Sequence, residues 1–417
     1  MQPRGLSSSK RAGADDVVGL VAFWLDIDVD DKSKPAAIRD AVARICSRFD
    51  DAYWLERERT GTFPEDFAAE IAKGGFYGVT MEEQYGGSGL GITEASLVMQ
   101  EIGRYGAAAS SAVHINIFGL QPVVGFGTDE QKARMLPPLI RGEHRSCFGV
   151  TEPDAGLDTT HISTFARRRE DGGYVVNGRK VWTSTAQRAD HILLVTRTTP
   201  IEDCKKPTDG MTLFYTDVDR DKIAITPIDK MGRNAVNSNA IFIDGLVIPE
   251  EDRIGEEGKG FKLLLDSLNP ERILAAATGL GMADFLVDKA VNYAKERKVF
   301  KDRPIGAYQG ISHPLADIKA QIEAARLMTY KAAWLFDQDE HPGVIGSQAN
   351  MAKYLAAEVA IKACDQAIET LGGYGFSEEY GVIYFWEAAR LLRTAPITKE
   401  MILNYIAEHV LGLPRTY

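Results

Sequence analysis

Residues 148–158 read FGVTEPDAGLD, and one hairpin later a second run, VWTST, stands at 181–185. The first run breaks off a helical pattern and opens a region of strands. Gly149 and Gly156 let backbone approach a flat ligand, Thr151 supplies a hydroxyl, and Trp182 offers a face for a ring system. Turn chemistry plus a core tryptophan is the competing reading, since Thr, Gly and Trp are common near strand ends.

Outward from these runs, the span from about Ser146 to Val247 alternates as strands do. Tyr174-Val175-Val176 and Lys180 to Thr183 flank Asn177-Gly178, a strong hairpin signal. His191 to Thr196, Met211 to Val218, Ile223 to Ile228 and Ala240 to Ile248 are further β-rich runs separated by Asp, Gly and Pro. No long helices alternate with them, which argues against a doubly wound sheet.

On the N-terminal side the pattern is helical from about Pro35 to Gly142. Ile38, Val42, Ile45 and Phe49 form one apolar face. Helices are expected around Glu65 to Ala72, after a cap at Thr93, and over Asp129 to Leu136. After Pro249 long apolar helical patterns return at Phe261 to Val291, Ile311 to Phe336 and Ile345 to Leu371, with shorter ones at Tyr384 to Leu392 and Ile397 to Leu411. Short connections between long helices predict an antiparallel bundle.

Composition narrows the chemistry. The chain has 417 residues, enough for two or three domains, and a formal net charge of -11 that argues against a general affinity for nucleic acid. Cys46, Cys147, Cys204 and Cys364 lie far apart without a CxxC, and the seven histidines include no HExxH, so no metal site is expected. No GxGxxG or P-loop occurs. The polar N-terminus reads as a disordered tail, and its apolar run Val17 to Leu25 lacks a convincing cleavage site. No stretch reaches the roughly 18–20 apolar residues of a membrane span. A cytoplasmic setting without membrane contact is the expectation.

FGVTEPDAGLD and VNGRKVW (176–182) resemble segments of the acyl-CoA dehydrogenase family. So do Gln84 to Gly91, FGTDEQK (126–132), LPPLIRGEH (136–144), KMGRN (230–234), GKGF (258–261), ERKVF (296–300) and ETLGGYGF (369–376). Each is weak alone; their order and spacing over about residues 35–415 are specific. The resemblance implies an α+β multidomain chain: a tail at 1–34, a helical domain at 35–145, an antiparallel, barrel-like β domain at 146–250 and a helix bundle at 251–417. It also implies FAD, an acyl-CoA substrate, an electron-transfer flavoprotein as acceptor, a place in fatty acid metabolism such as β-oxidation, and a homotetramer built from dimers.

By the same resemblance Phe148, Val150 and Thr151 contact the flavin ring, while Trp182 and Ser184 supply a shield and a hydroxyl. Arg297 and Phe300 reach a neighbouring subunit's FAD, followed by Gln309, and Gly372 and Gly373 give close approach to the pyrophosphate. Arg297 as a solvated helix-end charge and Phe300 as core packing are the competing readings. Four departures stand out. An extra residue lies between Phe300 and Gln309, with Lys301-Asp302 in place of glycine. Glu369 stands where glutamine is common, and Leu157 where serine usually follows Ala-Gly. Ala395, in Thr394-Ala395-Pro396-Ile397, replaces the carboxylate base of many members.

A minority of the family, the isovaleryl and long-chain types, carry the base on the helix after the β domain in a Leu-x-x-Glu-Arg context. Here that context is Leu268-Asn269-Pro270-Glu271-Arg272. The resemblance thus assigns catalysis to Glu271, with Ala395 supplying an N–H to the thioester oxygen and Leu157, Asn269 and Arg272 near the substrate. Against it, Asn269 as N-cap and Pro270 at N1 would make Glu271 an ordinary first-turn acid. The implied reaction is α,β-dehydrogenation to a trans-2-enoyl-CoA. A flavin monooxygenase or desulfinase-like relative and a noncatalytic subunit of a heteromeric enzyme are the alternatives.

Overall fold

The computed structural model describes residues 33–170 and 172–415. The expected tail and the Val17 to Leu25 run lie outside them, except that Ser33 and Lys34 already belong to the first helix.

Among the described residues seven helices come first: α1 (Ser33–Cys46), α2 (Asp51–Thr60), α3 (Glu65–Lys73), α4 (Ile92–Ile102), α5 (Ala109–Phe118), α6 (Gln121–Phe126) and α7 (Asp129–Ile140). The apolar face read from the sequence packs inward through Val42 of α1 and Phe49 just beyond its end, with Ile38 and Ile45 at its margin. Thr128 and Gln131 form a reciprocal capping box at the start of α7. Thr93 does not cap α4. The N-cap is Gly91, and the free amides of Ile92 and Thr93 donate to the Asp337 carboxylate at 2.7 and 2.9 Å. A distant acid thus does the work expected of a local hydroxyl.

The sheet has eight strands: β1 (Ser146–Gly149), β2 (Phe165–Arg168), β3 (Tyr174–Ser184), β4 (His191–Arg197), β5 (Met211–Asp217), β6 (Ile223–Pro227), β7 (Ser238–Ile248) and β8 (Arg253–Ile254). Their order is β6-β7-β3-β2-β4-β5-β8, with β1 paired to β4. Pairing is antiparallel, except that β1 runs parallel to β4 and β2 touches β4 in parallel at one residue pair.

Asn177-Gly178 is not a hairpin turn. It lies inside the continuous strand β3, at a register shift against β7, and the turn instead falls between β2 and β3, where Arg169 N–H donates to the Gly173 carbonyl. Gly178 (φ 157°) is needed because a Cβ would fall 2.4 Å from Thr164 Oγ1, and the Asn177 side chain accepts from Gly245 N–H at 2.9 Å.

The C-terminal part is built on α8 (Gly260–Glu296), followed by the ribbon β9 (Lys298–Val299) and β10 (Arg303–Pro304). Then come α9 (Gln309–Asp337), α10 (Pro342–Leu371), α11 (Ile383–Leu391) and α12 (Lys399–Tyr405). Ile273, Ala277 and Leu280 of α8 share one core with Ala349, Ala356 and Val359 of α10. On its other side α8 meets α4 so closely that a Cβ at Gly281 would lie 2.0 Å from the Gln100 carbonyl oxygen.

Because α8 begins at Gly260, Pro270 lies well inside it. Asn269 therefore caps nothing, and Glu271 is an interior helical residue rather than a first-turn acid. Proline leaves one carbonyl of the preceding turn without its helical donor, and α8 accepts this next to the site.

Candidate active site

Phe148 and Val150 lie where the helical core meets the β domain. Both pack against the same buried cluster as Leu264 and Leu268 of α8, the helix that carries Asn269, Glu271 and Arg272. The Thr151 carbonyl accepts from Val181 N–H at 2.9 Å, fixing this segment beside β3. Trp182 is no core tryptophan. A second register shift in β3 holds it at φ 62° with 57% of its surface exposed. Ser184 follows at the end of β3, opposite Ser238, and Leu157 projects from an exposed loop.

The 150–152 segment is braced from behind. Lys180 and Glu152 form a buried ion pair at 2.9 Å, and the same ammonium donates to the Val150 carbonyl at 3.0 Å. Glu152 also accepts from Ser163 N–H and Oγ–H and from Thr164 N–H. Burial alone would raise this carboxyl. The Lys180 charge and the bonds from Thr164 and Ser163 outweigh it and take the pKa down to about 2. At Lys180 burial wins over the Glu152 charge, and its pKa falls to about 8. The four donors around the carboxylate hold Glu152 ionised.

Glu271 is raised to about 7 by burial, against the lowering charges of Arg272 and Lys353. Its side chain keeps a partial opening while protein surrounds it. Arg272 donates to Asn269 Oδ1 at 3.0 Å. Ala395 sits in the turn after α11, and its N–H donates to the Leu391 carbonyl at 2.9 Å, so a thioester oxygen would have to share or displace that bond. Glu271 and the Ala395 turn are linked through Lys353, which donates to the Ile397 carbonyl and lies within electrostatic reach of Glu271.

Sequence reasoning missed Lys353. The signal was present: Lys353 interrupts the buried stripe Ala349, Ala352, Ala356 and Ala360 with a lone charge. It also missed the Glu152–Lys180 pair, because the shifts in β3 hide which of its residues point inward.

A second group of expected residues gathers elsewhere. Arg297, Glu369, Gly372 and Gly373 line an open recess of about 650 Å³ at the C-terminal ends of α8 and α10. A Cβ at Gly372 or Gly373 would meet nothing within 4 Å, so the backbone there faces open space. With Arg297 in the same recess to offset Glu369, this donor set fits a pyrophosphate, and the exposed Trp182 beside the 148–151 backbone fits a flat ring. Phe300 and Gln309 do not line the recess. Phe300 is 83% exposed in a ribbon whose tip, residues 300–302, is left-handed throughout, so core packing is excluded for it.

Among the described residues no metal-binding group of His, Cys, Asp or Glu forms, and no helix is long and apolar enough to cross a membrane.

Comparison with known proteins identifies the family. Residues 33–143 match the acyl-CoA dehydrogenase N-terminal domain, 147–246 its middle domain and 258–411 its C-terminal domain. Acyl-CoA dehydrogenase FadE12 of Mycobacterium tuberculosis is 40% identical over 381 residues, covering 91% of this chain and 97% of its own. The structure of butyryl-CoA dehydrogenase from Megasphaera elsdenii superposes with a TM-score of 0.86 at 30% identity, over 92% of this chain and all of the other. An FAD complex of PigA gives 0.86 at 26% identity, over 93% of this chain and 100% of that one. The chain belongs to the acyl-CoA dehydrogenase family and is an FAD-dependent oxidoreductase of that type.

Proposed function

We propose that this protein converts an acyl-CoA thioester to its trans-2-enoyl-CoA, with Glu271 as the base. The observation that carries the reading is a carboxylate in the interior of α8, one turn beyond the Leu264 and Leu268 that share a core cluster with Phe148 and Val150, with its pKa pushed up to about 7 by burial. A base is most effective when its pKa lies near the operating pH. FAD, when bound, supplies the acceptor for the hydride from the β-carbon. Glu271 takes the α-proton, and the electrons of that C–H bond form the new double bond as the β-hydrogen leaves with its pair. The thioester oxygen needs donors as charge builds on it, and the Ala395 N–H is the chain's candidate once it lets go of Leu391.

The test is anaerobic addition of straight, branched and ring-bearing acyl-CoA thioesters to the holoprotein. At least one should bleach the flavin, and the rate should climb with pH through about 7, because only ionised Glu271 accepts a proton. No bleaching with any thioester, or a rate flat across that range, overturns the proposal. Oxygen-dependent turnover would favour monooxygenase chemistry, and flavin that appears only on co-expression with a second chain would favour a heteromer.

The same reading takes the working unit as a homotetramer of dimers passing electrons to an electron-transfer flavoprotein. Its support is spacing along α8. Glu271 and Arg297 are 26 residues apart on one helix, roughly 39 Å at 1.5 Å per residue, so the recess at Arg297 suits the FAD of a neighbouring subunit. Arg297→Ala should weaken FAD retention by roughly ten- to a hundredfold, the ~1.5–3 kcal/mol of a charge-assisted bond. It should change the rate of the remaining holoenzyme far less. Unaltered FAD retention measured by gel filtration, or a stable monomer with full FAD, contradicts this assembly. Four free cysteines, three of them buried, suit a reducing cytoplasm.

A further inference from the structure

Lys353 stands at the middle of α10 with 1% of its surface exposed. An ammonium so placed is costly unless something holds it. Its neighbours are few and specific. It donates to the Ile397 carbonyl, in the turn two residues beyond Ala395, and no carboxylate oxygen among the described residues comes within ion-pair distance. The charges acting on it come from three elements: Arg272 and Glu271 on α8, Glu358 on its own helix and Glu400 on α12. Glu358 is already engaged by Arg393 at 2.7 Å, while Arg272 repels the ammonium and is itself bound to Asn269. Glu271, by contrast, has no ion-pair partner within 4 Å among the described residues and is held down only by Arg272 and Lys353.

We propose that Lys353 is a positioning residue for the Glu271 base: it pins the Ala395 turn through the Ile397 carbonyl, and its charge favours the ionised Glu271 carboxylate. This rests on Glu271 being the base. The ammonium acts on the carboxylate and the turn, not on substrate. Without it burial would go unopposed except by Arg272, and Glu271 would stay protonated to higher pH.

The experiment follows Glu271 in two ways in Lys353→Met and Lys353→Arg holoprotein. One readout is the pH dependence of anaerobic flavin bleaching by an acyl-CoA that bleaches the parent. The other is the infrared band of the protonated carboxyl that Glu271→Gln removes, titrated without substrate. In Lys353→Met both midpoints should move up by about one pH unit, a tenfold loss of ionised base below the midpoint. Lys353→Arg keeps a charge and should keep the parent's midpoints. Hydrogen exchange across residues 394–398 should speed up in Lys353→Met.

Lower thermal stability with unmoved midpoints in Lys353→Met would mean a structural role only and overturns the proposal. If Lys353→Met does not fold, Lys353→Gln, which removes the charge and keeps a donor for the Ile397 carbonyl, decides: an infrared midpoint that moves up supports the assignment, an unmoved one overturns it. The infrared titration does not depend on turnover. A shifted band with a Glu271→Gln enzyme that still bleaches normally would sink the base assignment while keeping the Lys353–Glu271 coupling.

Discussion

Glu271→Gln should slow anaerobic flavin bleaching by at least the roughly 100-fold typical of general-base loss, with acyl-CoA affinity and FAD content nearly unchanged. The substitution keeps size and removes only proton acceptance. Stability should respond the other way. The folded pKa of Glu271, about 7, lies above its unfolded value, so its contribution is fully present below about pH 4.3 and lost as pH rises through 7. Glutamine removes that loss, and at about pH 8 the variant should melt at or above the parent temperature. A near-normal bleaching rate refutes the assignment, whatever the melting curve shows.

Lys180→Met is expected to cost about 3–5 kcal/mol, the penalty for leaving one member of a buried ion pair behind. Glu152 would then face apolar β domain with only Ser163 and Thr164 as donors. Denaturant unfolding measures this, and a loss below about 1 kcal/mol would show that water reaches Glu152. Adding Glu152→Gln should recover part of the loss. In the parent, Glu152 contributes stability above about pH 4.3, and this is lost as pH falls through about 2, because its folded pKa is depressed. Since Lys180 also holds the Val150 carbonyl, FAD content should fall with stability.

Local pattern carried the reading of the long helices: apolar periodicity gave α8, α9 and α10 within a few residues, and ordered motifs gave the family. The failures share one cause, contacts between residues far apart in sequence. Thr93 looked like a cap because Asp337, 244 residues away from it, is invisible to a local window. Asn269-Pro270 looked like a helix start, yet α8 continues through both because its flanks are buried against the β domain and α10. Of the candidate site, Glu271 and the 148–151 segment are the parts that motif spacing proposed. Lys353 was not, since its value depends on which turn and which carboxylate the bundle brings to it.

The Asn177-Gly178 step has a consequence for how the protein ages. Asn-Gly is the dipeptide most prone to spontaneous deamidation, which requires the glycine nitrogen to swing onto the asparagine side-chain carbonyl. Here both residues lie within β3, Gly178 paired with Ile243 of β7 and Asn177 with Phe165 of β2, and Asn177 Oδ1 is occupied by Gly245 N–H. The attacking geometry is denied while the sheet is intact. Chemical damage at this step therefore marks molecules that have opened the edge between β3 and β7, and its slow accumulation would serve as an internal clock of that opening.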